Sequence, residues 1–223
     1  MRRGAIALLA LLLGACTGGK HTQTITSYGA AAEPRAAMIG RSMIDMGGNA
    51  VDAAAAMALT MAVTLPSRVG LTAGGVCLVH DPASHTVRGI DFLAPPAGSG
   101  TAPVPALLRG LYTLHAAYGR LRWEQVLGSA ESLAGTGTTV SRALAADLAA
   151  AAPRLAADAE ARRLFLDARG RPLTEGATLV QPELAALLSD IRRQGIGVFY
   201  GGPGVAAPGV ARTVAALGVD RAE

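Results

Sequence analysis

The residues able to do chemistry in this 223-residue chain are few, and their spacing excludes more than it offers. Lysine occurs only at Lys20, so no Gly-x-x-x-x-Gly-Lys phosphate loop can form, and no Gly-x-Gly-x-x-Gly follows a strand. The histidines His21, His80, His85 and His115 show neither His-Glu-x-x-His nor another metal-ligand spacing, and no metal is expected. A Gly-x-Ser-x-Gly nucleophile elbow is absent as well. What remains is Thr138-Thr139, the cysteines Cys16 and Cys77, and two arginines beside glycine-rich or strand sequence, Arg68 and Arg88. A guanidinium fork can bind both oxygens of a carboxylate, but an arginine on a turn or strand is equally at home in solvent.

The elements that would position these residues centre on the stretch from Gly47 to Phe92. Gly47 and Gly48 end one helical pattern, and Asn49 opens the next by offering its side chain to orphan backbone N–H groups, with Asp52 complementing the positive helix end. Ala53 to Ala58 give that helix a thin body suited to close packing, and Pro66 stops it. Gly70, Gly74 and Gly75 form a turn that either precedes a buried strand or lets backbone approach a ligand. Val76 to Val79 is apolar on both faces, which suits a strand covered on each side, and Thr86 to Phe92 returns as the second strand of a hairpin. Cys77 reads as a small apolar strand residue.

Before this stretch, residues 1–15 read as an export signal: Arg2 and Arg3 at the head, an apolar run from Ala5 to Leu13, then the small Gly14-Ala15. Leu13-Gly14-Ala15-Cys16 resembles a bacterial lipobox, which would make Cys16 a lipidated first residue; the alternative is an ordinary secretory signal with a chance cysteine. A multi-chain lipid anchor would hold the protein at a membrane facing the periplasm or cell exterior. Residues 16–28 form a polar tether, and residues 29–223 carry the folded portion. The formal charge of +4 falls by two without Arg2 and Arg3, and the arginines are scattered, so nucleic acid is not an expected partner.

Glu33-Pro34 starts a helix with Ala37, Met38 and Met43 apolar that leads into the central stretch, and beyond Phe92 the segment from Ala94 to Gly100 has no period and reads as a loop. Pro103 and Pro105 open a helix with Leu107, Leu108, Leu111 and Leu114 on one side. Trp123 to Leu133 and Ser141 to Ala151 read as helices, with Ser141 a cap and Pro153 a break. Residues 182–194 form another, ended by Gly195 and Gly197, and a last helical piece is expected from Val205 to Leu217.

Taken together, Gly-Gly-Asn-Ala-Val-Asp-Ala-Ala, the proline and glycine-rich turn after it, Gly-Gly-Val-Cys-Leu-Val-His-Asp and Ile90-Asp91-Phe92 resemble the amino-terminal half of the γ-glutamyltransferase (glutathione hydrolase) family. Gly110-Leu111-Tyr112, Tyr118-Gly119-Arg120-Leu121, Phe165-Leu166-Asp167, Gln181-Pro182-Glu183-Leu184 and Val198-Phe199-Tyr200 agree with it, over about residues 29–215. The resemblance implies an α/β fold, part of the four-layer αββα sandwich of the amino-terminal nucleophile hydrolases, helix-rich with a few strands. It implies transfer or hydrolysis of γ-glutamyl groups by a threonine that uses its own α-amine as base, with no cofactor. That threonine opens the family's second half, so no catalytic residue is expected in this chain and a threonine-led partner half is. Thr138-Thr139 resembles the start of a first-half helix instead and is expected to cap it.

In one respect the chain departs from the family. The arginine that follows Asp-Phe there, and pairs with the α-carboxylate of the γ-glutamyl group, is Leu93 here. A leucine donates nothing to a carboxylate. Arg68 is the expected substitute, with Arg88 a second candidate and an exposed turn arginine the alternative reading. The corresponding alternative for the whole chain is a catalytically silent lipoprotein that keeps part of the fold as a binding or structural module.

Overall fold

A computed structural model of the protein describes residues 29–93 and 105–200. The export signal, Cys16, the tether, the loop from Ala94 to Gly100 and the helix expected over Val205 to Leu217 lie outside the described residues.

Two antiparallel helices begin the fold, α1 (Pro34–Asp45) and α2 (Ala50–Thr64). Glu33 caps α1 by accepting from the Ala36 N–H at 3.0 Å, and the same oxygen receives the Thr64 hydroxyl at 3.1 Å, which ties the start of α1 to the end of α2. Halfway along, Gly40 lies against Met57, where a Cβ would stand 2.6 Å from the Met57 Cγ. Met38, expected among the apolar positions of α1, is instead 71% exposed, because the buried face runs through Ala36, Gly40 and Met43. Gly47 makes the corner between the helices at φ +89°, a conformation that costs glycine little.

Next comes a hairpin, β1 (Val76–Asp81) and β2 (Thr86–Asp91), antiparallel with Val76 opposite Asp91 and Leu78 opposite Gly89. The expectation that β1 is covered on both faces does not hold among the described residues. Cys77, Val79 and Ile90 are half-buried on one side, whereas Val76, Leu78 and Val87 face outward, Leu78 75% exposed. Partial burial pushes the Cys77 thiol up from its ordinary pKa, as suits a packed cysteine.

Helices α3 (Leu107–Tyr118) and α4 (Trp123–Thr136) follow, and α3 buries Leu107, Leu108, Leu111 and Leu114 as its periodicity predicts. The main core gathers Leu59 and Val63 of α2, Leu108 of α3, Val126 and Leu127 of α4, and Leu188 and Ile191 from α7 (Pro182–Gln194). A smaller cluster, Leu65, Val140, Leu144, Leu148 and Leu179, sits beneath α5 (Arg142–Ala157). Alongside it are α6 (Ala159–Phe165) and the two-residue strands β3 (Thr138–Thr139) and β4 (Thr178–Leu179), and α8 (Gly197–Tyr200) closes the described chain.

Two sequence expectations change here. Thr138-Thr139 forms β3 rather than a cap, and it is Ser141 that accepts from the Leu144 N–H at 3.2 Å. Pro153 does not break the chain but lies inside α5, whose carbonyl partner at Ala149 is exposed to water.

Candidate functional site

Asn49 and the fully buried Asp52 build a polar arrangement that joins distant segments of the described chain. Asn49 Oδ1 accepts from the N–H groups of Val51 and Asp52, and Asp52 Oδ2 accepts from the Asn49 N–H at 2.8 Å, a reciprocal capping box. Asp52 also receives the backbone N–H groups of Arg120 and Leu121, while Asn49 Nδ2 donates to the Tyr118 carbonyl at 2.6 Å. His115 Nε2 lies 3.1 Å from Asp52 Oδ1 but is not aligned for a hydrogen bond. Every donor to this carboxylate is main chain, so Asp52 fastens the α3–α4 turn to the start of α2 rather than facing a ligand.

Arg68 occupies the turn after α2. Its Nε and Nη2 donate to Asp147 of α5 at 2.8 and 3.1 Å, and Ser67 Oγ donates to the same carboxylate at 2.7 Å. Arg68 and then Ser67 hold the Asp147 carboxyl down to about 2 from an ordinary 3.8. The pair walls a shallow surface depression of about 500 Å³ with Arg154, Leu155 and Phe165. Arg88 sits in mid-hairpin opposite Val79, exposed.

A third place forms where the hairpin meets α3. The Phe92 ring is pressed between Gly75 and Gly110: a Cβ on Gly110 would stand 2.1 Å from the ring, and one on Gly75 would stand 2.8 Å from it. Thus Gly75 serves close packing of a side chain. Leu93 follows Phe92, 60% exposed, with its N–H bonded to Asp91 Oδ1 at 2.9 Å. One residue before Gly110, Arg109 stacks its guanidinium over the Tyr200 ring, 4.5 Å from the centroid. The Tyr200 hydroxyl donates to the Pro105 carbonyl at 2.9 Å and accepts the Arg109 N–H at 3.1 Å, capping a helix whose own Ala106 offers no side-chain cap.

Sequence reasoning missed Asp147 and Arg109. Asp147 lies 79 residues from Arg68, and Arg109 is an ordinary helix-surface residue until Tyr200, 91 residues on, is folded against it. Among the described residues no group of three or more His, Cys, Asp or Glu could hold a metal ion.

The comparisons decide the lineage. The family profile described as Gamma-glutamyltranspeptidase matches residues 36–103 and 93–219. The chain belongs to that family. Glutathione hydrolase 7 of Bos taurus is 36% identical over 200 residues, covering 83% of this chain and 30% of the relative. The glutathione hydrolase proenzyme of Bacillus subtilis (strain 168) is 32% identical over 196 residues, covering 78% of this chain and 33% of the relative. This gamma-glutamyltranspeptidase family member therefore spans about a third of the length of these relatives. In structure it is similar to Helicobacter pylori gamma-glutamyltranspeptidase, with TM-score 0.76 and 25% identity over 84% of this chain and 58% of that one. Bacillus anthracis transpeptidase CapD gives TM-score 0.75 and 28% identity, over 86% of this chain and 64% of that one. The fold is thus the expected partial α/β amino-terminal nucleophile hydrolase fold, dominated by its helices.

Proposed function

We propose that this chain is the large-subunit-like portion of an exported γ-glutamyltransferase or glutathione hydrolase. It takes part in moving a γ-glutamyl group from a glutathione-like donor to water or an amino acid. The nucleophile is the threonine of a second, threonine-led half, whose α-amine takes the hydroxyl proton as the threonyl ester forms. No residue of this chain attacks the donor; its work is to carry that half and to bind substrate.

The observation that carries this reading is the hairpin. Val76, Leu78 and Val87 lie exposed on one face of the hairpin, beside His80, Gly89 and Asp91, with no cover among the described residues, and these apolar side chains suit a further layer against them. The second half supplies that layer. For the substrate carboxylate, Arg68 is the arginine nominated by sequence, and its recruitment requires exchange of the two bonds it gives Asp147. Lipidation at Cys16 places the enzyme on a membrane, facing the periplasm or cell exterior. Among the described residues no helix is long and apolar enough to cross one.

The test is to purify the protein from its own cell membranes and determine the amino-terminal residue of each co-purifying polypeptide by mass spectrometry. A chain beginning with threonine supports the enzyme. A lipidated polypeptide with no such partner or continuation overturns it and leaves a silent binding module.

A further inference from the structure

We propose that the depression between the turn after α2 and the exposed side of α5 binds an amphipathic monoanion, an aryl or alkyl group carrying one carboxylate or sulfonate, with Arg154 receiving the anionic head. This site goes beyond the γ-glutamyl reading and does not depend on it.

The helix sets the geometry. Asp147, Ala150, Ala151 and Arg154 recur at helical spacing and line the depression together, so they share one face of α5, with its two charges about 10 Å apart along the axis. Between those charges stand alanines, whose small side chains leave room for the body of a ligand. The other walls are largely apolar: Leu148 is buried, and Leu155 and Phe165 are half-buried, so part of their surface borders the depression. Its volume of about 500 Å³ suits a small organic molecule.

Charge decides the sign of that molecule. At one end Asp147 accepts from Nε and Nη2 of Arg68 at 2.8 and 3.1 Å and from the Ser67 hydroxyl at 2.7 Å, so one cation and one anion offset each other. Arg142, Arg163 and Arg171 of the neighbouring segments are likewise paired with carboxylates. Arg154 is exposed and makes no ion pair among the described residues, and Asp147 is the one carboxylate that lines the depression. A single uncompensated guanidinium beside an apolar wall fits one negative charge joined to an apolar body. The fork takes the head group through two parallel bonds, and burial of the body against Leu155 and Phe165 adds to them.

The test uses the chain from position 16 onward, with Cys16→Ser so that no lipid is attached, together with any second half that co-purifies. The probes are 8-anilinonaphthalene-1-sulfonate and N-phenyl-1-naphthylamine, which share an apolar body and differ in the sulfonate, each titrated by fluorescence. The wild type should bind the sulfonate more tightly than the neutral probe and lose that preference at high salt. Arg154→Ala should raise Kd for the sulfonate about threefold to fivefold, the upper range of an exposed ion pair, and leave Kd for the neutral probe unchanged. Arg154→Lys should recover part of the loss. Ala151→Trp keeps the cation but fills the depression, and it should weaken both probes.

Equal binding of the two probes by the wild type overturns the proposal, as does a sulfonate Kd that Arg154→Ala leaves where it was. Loss of binding with Leu78→Glu and Val87→Glu, but not with Ala151→Trp, would place the probe on the hairpin and overturn it as well.

Discussion

Asp52 receives the backbone N–H of Arg120 on both carboxylate oxygens, each at 3.1 Å, across 68 residues of sequence. With the N–H groups of Asn49 and Leu121 on the same side chain, one fully buried carboxylate closes the start of α2 and the turn before α4. Asp52→Ala would take the carboxylate partner from these main-chain donors, which belong to residues that are half-buried or exposed. A buried group left unsatisfied costs on the order of 1–3 kcal/mol, and because water can reach some of these donors the total loss should be about 1–3 kcal/mol, read as a lower midpoint in urea unfolding. A shift under about 1 kcal/mol would show that the turn finds other acceptors.

Gly110 offers a second check, since its missing Cβ is the space the Phe92 ring occupies. Gly110→Ala should destabilise by about 1–3 kcal/mol through overpacking, and Phe92→Leu in the same chain should relieve part of it. Additive losses in the double variant would mean that the two residues do not share this contact.

The Arg68–Asp147 pair has a pH signature. Its carboxyl is held down to about 2, chiefly by Arg68 and then by Ser67, below the ordinary 3.8. The folded state therefore favours the anion. The stabilisation is full above about pH 4, declines as pH falls and is gone below about pH 2. Asp147→Asn should flatten that acid limb while leaving the slope near neutral pH alone. Unfolding midpoints of both proteins across this range decide it, and identical profiles would count against the pair.

Leu78 and Val87 are exposed on the outer face of the hairpin, so replacing them tests association apart from folding. Leu78→Glu with Val87→Glu should change the unfolding free energy by no more than about 1 kcal/mol, the usual range for two surface changes. The same substitutions should sharply reduce recovery of the threonine-led half in a pull-down. Retained recovery would place the docking surface elsewhere.

The sequence alone determined the local elements. Asn49 and Asp52 sit at capping-box spacing, the leucines of α3 recur at helical period, and the turn residues between two apolar runs specify the hairpin. Each of these is set by neighbours within a few residues, through backbone sterics and short-range hydrogen bonds, so linear order suffices to read it. The departure at Leu93 was legible in the same way, as a missing guanidinium.

Only the tertiary structure decided how the polar and charged side chains were used. Asp52 gathers main-chain donors from a turn 68 residues away, Arg68 is taken up by Asp147, and Arg109 is stacked on Tyr200. Pro153 stayed within α5 because the carbonyl it deprives lies in water, and the hairpin kept Val76, Leu78 and Val87 exposed because no described element reaches them. A charge or a face is satisfied by whatever the fold brings within a few ångströms. That depends on packing between distant segments, which spacing along the chain does not encode.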